Sequence, residues 1–142
     1  LLAARGKPVS AQEPHVAPHS RMADSVAMRD LQELKERMRA FVAERDWDQF
    51  HSPKNLAMAL SVEASELVEL FQWLTEQQSA EPDEKLRRRA AEELADVLWF
   101  LVRIADRLDI DLLEAAESKF ARNAEKYPAE RVRGQSRKYD EY

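Results

Sequence analysis

SVEASELVELFQW, residues 61–73, spaces its leucines as a helix does, yet Glu63, Glu66 and Glu69 interrupt the run. Burying a carboxylate is costly unless something positive meets it, so what these glutamates face decides what the segment is for. At about 100° per residue, Leu56, Leu60, Leu67, Leu70, Phe71 and Leu74 share one arc, and Glu63 falls inside it. Glu66 lies at the arc's edge, roughly 60° from Glu63, with Asn55 and Trp73 on the same edge. Glu69 points further round, toward solvent.

A second segment, EELADVLWFL (residues 92–101), repeats the pattern. Leu94, Val97, Leu101, Ile104 and Leu108 form its expected inner stripe, with Glu93, Asp96 and Phe100 on the flank and Glu92 on the surface. Two helices thus each carry a carboxylate pair at i, i+3 beside an apolar stripe. Packed antiparallel, they bring four carboxylates together. Like charges about 4–6 Å apart raise one another's pKa strongly, so protons or cations must neutralise the cluster. All four donors are hard oxygens and no cysteine exists in the chain, which points to Mg²⁺, with Mn²⁺ as the substitute. The plain alternative is four ordinary surface carboxylates; Glu63 within the leucine arc, and the second pair, speak against it.

Around these segments the chain reads as all-helical. Between Met22 and Arg133 there is no glycine, and the prolines there, Pro53, Pro82 and Pro128, stand at helix borders, so strand turns lack their chemistry. Helices are expected over about residues 25–45 (Leu31, Leu34, Met38, Phe41 and Val42 inward), 53–76, 82–108, and from Asp109 or Asp111 to just before Pro128. Ser52-Pro53 is an N-cap followed by proline at the first helical position. The expected organisation is a disordered leader or appended non-native residues at 1–21, a helical catalytic domain at 22–128, and a basic tail at 129–142.

The chain of 142 residues carries a formal charge of −5, which argues against nucleic acid or an anionic membrane as partner. No apolar run approaches the roughly 20 residues of a membrane span, and no secretory signal is visible, so a cytoplasmic location is expected. Val62 and Val68 widen the apolar surface of the second helix beyond what four helices can cover, which suggests burial against a second copy.

At Glu63-x-x-Glu66 and Glu93-x-x-Asp96 the chain resembles the MazG-like, all-α nucleoside triphosphate pyrophosphohydrolases, whose signature is Glu-Glu-x-x-Glu, a spacer and Glu-x-x-Asp. Val62 departs from the signature's first glutamate, which removes none of the four ligands but changes their surroundings. ERDWDQFHSPKNL, LFQW, KFARNAEKYPAE and SRKY are similar to the dCTP pyrophosphatase branch. The resemblance implies a four-helix-bundle-like fold completed by homodimerisation, often as a homotetramer. It further implies Mg²⁺-dependent cleavage of a nucleoside triphosphate, dCTP by preference, between the α and β phosphates, as nucleotide-pool house-cleaning.

Under this resemblance Glu63, Glu66, Glu93 and Asp96 hold the metal and carry catalysis, with Glu66, nearer the open cleft, favoured to orient the attacking water. Lys119, Asn123 and Tyr127, on one face at i, i+4, i+8, and Lys126 beside them match residues that contact the triphosphate. Trp47 and Trp73 match tryptophans that line the base pocket. Phe100 and Met38 rank behind them, and Trp99 is expected in the core. His51, Lys54 and Asn55 precede the carboxylates and are candidates to reach substrate, as are Arg137, Lys138 and Tyr139. Two other classes compete. A di-iron carboxylate bundle needs Glu-x-x-His pairs, and neither motif here ends in histidine. A non-enzymatic helical interaction module predicts no response of stability to Mg²⁺.

Overall fold

Local capping chemistry sets most of the helix borders. In the computed structural model, which describes residues 28–134 and residue 136, helix α1 is Leu31–Glu44, and Asp30 accepts the N–H of Glu33 at 2.8 Å. A 3-10 turn, Asp48–Phe50, leads into α2, Pro53–Phe71. Ser52 caps α2 through the N–H of Asn55 at 3.2 Å, with Pro53 at the first position as expected. Then come α3 (Glu76–Ala80), α4 (Glu84–Arg107), α5 (Leu112–Lys126) and α6 (Ala129–Val132). No strand occurs among the described residues. The expectations for residues 1–21 and for Arg137, Lys138 and Tyr139 lie outside the described residues.

Three borders differ from the pattern reading. Residues 28–30 are not helical, because Asp30 is committed to capping α1. Helix α2 stops at Phe71 instead of residue 76, and Thr75 and Gln78 then form a reciprocal capping box that opens the separate short helix α3. The stretch expected as a basic tail begins with the helical turn α6. The glycine-free chain reverses through aspartates: Asp46 and Asp109 hold φ of 52° and 54°, a region that aspartate tolerates better than most residues do.

Helices α2 and α4 form the main packed pair, and α1 lies against α4. His51, just before α2, meets Arg103 near the end of α4, while Glu63 and Glu66, further along α2, meet Glu93 in the first half of α4. The two helices are therefore antiparallel, as the carboxylate pattern required. The buried apolar residues are Met38 and Val42 from α1, Leu56 and Leu70 from α2, and Val102 and Ala105 from α4. Met38, a second-rank candidate for the base, is thus a core residue. The stripe expected on α4 is displaced: Leu94, Leu101 and Leu108 are exposed, whereas Val102, Arg103 and Ala105 are buried. The uncovered leucines, together with Met58, Val62 and Val68 on α2, leave an extended apolar surface on the single chain. Helix α5 buries no residue, and its Leu113 and Phe120 are exposed.

Candidate functional site

The packed α2–α4 pair sets Glu63 and Glu66 against Glu93, so that each offers a carboxylate oxygen within 4.8 Å of the other two. Helical spacing produces this, since residues three apart share a face of α2. Glu63 and Glu93 are half-buried and Glu66 is exposed, which matches its place at the arc's edge. Desolvation, followed by the charges of Glu66, Asp96 and Glu93, pushes the Glu63 carboxyl above the ordinary carboxylate range. Glu93 is raised likewise by desolvation and by Glu66 and Asp96, with Arg89 opposing. Asp96 stands outside the three-carboxylate group but acts on two of its members through charge. Glu69 and Glu92 are exposed, as expected.

Such a group fits a hard divalent cation. Oxygens on opposite sides of an octahedral Mg²⁺ are about 4.2 Å apart, so donors within 4.8 Å need only small adjustments to surround one. The raised pKa values show what the cation would relieve: mutual repulsion in a partly desolvated place.

Trp47, half exposed, borders the 3-10 turn and packs edge-on against Phe41 at 5.8 Å, which in turn packs edge-on against Trp99 at 5.5 Å. The Arg45 guanidinium covers the Phe41 ring at 3.5 Å. Trp99 therefore has the packing role expected of it, while Trp47 stays 44% exposed. Trp73 is 86% exposed. Phe100 is half-buried on α4. Lys54 is exposed in the first turn of α2, and Asn55 donates its side-chain amide to the Phe50 carbonyl at 2.9 Å, bracing the turn before it.

The structure does not seat the basic face of α5 on the carboxylates. Lys119, Asn123 and Lys126 are exposed, Tyr127 is half-buried, and among the described residues α5 has no extensive packing partner. The Tyr127 N–H bonds to the Asn123 carbonyl at 2.8 Å, and Lys126 Nζ stands 5.9 Å from the Tyr127 ring centre.

The pattern reading missed one network. Arg103, only 3% exposed, donates Nη1 to Asp106 at 2.8 Å, Nη2 to Asp48, and Nε to His51 Nδ1 at 3.3 Å. Arg39 from α1 holds the other side of Asp106, its Nε 3.0 and 3.1 Å from the two oxygens. Burial opposes ionisation of Asp106, but Arg39 and Arg103 outweigh it and hold the carboxyl below its ordinary range. The signal was present: Arg103 is a charge inside the apolar run WFLVRIA, residues 99–105, and Asp106 follows that run at i+3; a charge there needs a partner.

Compared with known proteins, residues 58–142 match the model of the MazG-like family. The chain belongs to the MazG-like family. Human dCTP pyrophosphatase 1 is 47% identical over 113 residues, 78% of this chain and 66% of its own length. The rat dCTP pyrophosphatase 1 is 43% identical over 111 residues, 77% of this chain and 65% of its own length. The chain thus spans just under two thirds of these curated relatives. A crystal structure of a pyrophosphatase from Archaeoglobus fulgidus DSM 4304 superposes with a TM-score of 0.67 at 37% identity, over 72% of this chain and 95% of that one. The all-helical fold is therefore the MazG-like pyrophosphatase fold, and Glu63, Glu66 and Glu93 lie within the matched region.

Proposed function

We propose that this MazG-like protein is a Mg²⁺-dependent nucleoside triphosphate pyrophosphohydrolase, dCTP-preferring, that cleaves between the α and β phosphates to give a nucleoside monophosphate and pyrophosphate. The observation that carries this is the Glu63–Glu66–Glu93 group, drawn from two antiparallel helices, in which desolvation and mutual repulsion raise the pKa of Glu63 and Glu93. The likeness to dCTP pyrophosphatase 1 over most of this chain supports the substrate.

Glu63, Glu66, Glu93 and Asp96 would hold Mg²⁺, or Mn²⁺ in its place. When bound, the ion supplies the positive charge that a triphosphate oxygen needs as the anhydride opens. Glu66, exposed at the rim, accepts a proton from the attacking water at a carboxylate oxygen. Trp73 and Trp47 stack on the base, with His51, Lys54, Asn55 and Phe100 completing that side. Lys119, Asn123, Lys126 and Tyr127 bind phosphate oxygens, most simply once a second copy covers the apolar surface of α2, α4 and α5. The functional unit is accordingly a homodimer or a homotetramer, and the role is cytoplasmic nucleotide house-cleaning.

The test is a panel of dNTPs and NTPs with Mg²⁺, with separate assays for pyrophosphate and orthophosphate. Pyrophosphate is expected, fastest from dCTP. Orthophosphate as the primary product, or no hydrolysis by folded protein, would overturn the proposal.

A further inference from the structure

His51 directly follows the 3-10 turn, and its backbone N–H bonds to the Asp48 carbonyl at 3.2 Å. Its side-chain Nδ1 faces the Nε–H of Arg103 at 3.3 Å. A guanidinium only donates and stays protonated in a protein, so Nδ1 must present its lone pair. The one proton of the neutral ring then sits on Nε2. Among the described residues no group bonds to Nε2, and no buried side-chain nitrogen or oxygen is left without a partner. Nε2–H is consequently an accessible donor that lacks an acceptor among the described residues.

Arg103 is well placed to enforce this. Its guanidinium is buried, and Asp106 and Asp48 fix its two outer nitrogens, leaving Nε for the imidazole. Asp48 belongs to the same turn as His51, so one arginine pins both the backbone of the turn and the ring that follows it. The other end of that turn is Trp47, the half-exposed ring proposed to stack on the base.

We propose that Arg103 is a positioning residue: it clamps the Trp47–His51 turn to α4 and holds His51 as the neutral Nε2–H tautomer, which offers a single donor to an acceptor atom on the nucleobase edge. This rests on the reading above that the turn faces the nucleotide. The electrostatics agree, since desolvation and the charges of Arg103 and Arg107, against Asp48, hold His51 below its ordinary pKa.

The test joins imidazole ¹⁵N NMR of the full chain with kinetics on dCTP and Mg²⁺. The His51 signals are identified by their loss in His51→Gln. At neutral pH the wild type should show a ring protonated at Nε2, and Arg103→Met should show a mixture of tautomers. Arg103→Met should also raise KM for dCTP about three- to tenfold, the worth of one hydrogen bond, with kcat little changed. His51→Gln, whose amide nitrogen stands near the place of Nε2, should keep KM lower than His51→Asn does. If Arg103→Met does not fold, Arg103→Lys and the wild-type spectrum decide. A wild-type ring protonated at Nδ1, or a KM indifferent to Arg103, overturns the inference. An inactive wild type sinks the catalytic reading and the inference with it, whereas an active wild type that ignores Arg103 sinks the inference alone.

Discussion

Glu63 on α2 and Glu93 on α4 stand with carboxylate oxygens within 4.8 Å of each other, and the charge of Glu93 adds to the repulsion felt by Glu63 instead of relieving it. Glutamine keeps the shape of either side chain and removes the charge. Without divalent cation, Glu93→Gln should therefore melt no lower than the wild type, and a few degrees higher if repulsion dominates. Pyrophosphate release should nevertheless fall by a factor on the order of 100 or more, the usual cost of deleting a catalytic electrostatic partner. Thermal melts in EDTA beside a pyrophosphate assay check both. A Tm that drops together with intact turnover would assign these carboxylates to structure.

The same crowding sets a pH dependence with a definite sign. Both folded pKa values lie above the ordinary 4.5, so on acidification the folded cluster takes up protons before the unfolded chain does. Above those raised values the repulsion destabilises the metal-free fold; as pH falls through them toward 4.5, this contribution is relieved. A divalent cation requires the ionised form. The rise in Tm produced by millimolar Mg²⁺ should thus be full at neutral pH and shrink as pH passes down through the raised values. Melts at several pH values, with and without Mg²⁺, measure it, and a Mg²⁺ shift independent of pH would contradict it.

Much of this site could be read before the structure because helical periodicity is local. Glu63, Glu66 and Glu93 needed only the leucine arc and an antiparallel partner, and the cap at Ser52 is short-range chemistry. Leu94 and Leu101 were misassigned to the inside because periodicity identifies an apolar face without saying whether the same chain covers it. Arg103 and Asp106 were missed because their partners, Asp48, His51 and Arg39, lie more than 50 residues away in sequence. No spacing rule reaches that far.

That network makes its own prediction. Asp106 and Arg103 expose only 6% and 3% of their side chains, and Asp106 is the anion that Arg103 and Arg39 share. Asp106→Leu leaves Arg103 buried with only the half-exposed Asp48 as counter-charge. Breaking one side of a buried pair costs about 3 kcal/mol or more, which for a domain of this size is a fall in Tm on the order of 10 °C. Because the folded pKa of Asp106 lies below its ordinary 3.8, the stabilisation is present above that value and is lost as pH falls through the folded pKa. The variant should accordingly lose most at neutral pH and converge on the wild type in strong acid, as thermal melts across pH would show. An unchanged Tm at neutral pH would refute the shared-anion role.

Helix α5 exposes Leu113 at 67% and Phe120 at 77% while burying nothing. A patch of that kind calls for cover, and a second copy is the cover proposed above. Phe120→Glu places a charge where an apolar contact is expected. It should shift the protein toward the 16.5 kDa monomer in light scattering and lower turnover at dilute protein concentration. A wild type that is already monomeric, or a variant assembled as before, would rule out α5 as part of the interface.

Trp73 separates binding from stability more cleanly than any other candidate. At 86% exposure its ring contributes little to the core, so Trp73→Ala should change stability by no more than about 0.5 kcal/mol. Stacking of a base on an aromatic ring is worth about 1–3 kcal/mol, so KM for dCTP should rise by about fivefold or more. Trp47→Ala should raise KM similarly but also lower Tm, because that ring supports Phe41, which supports Trp99. Steady-state kinetics and melts on the two variants distinguish the roles. Unchanged KM in Trp73→Ala would remove it from the base site and leave its exposure to be explained by contact with another protein surface.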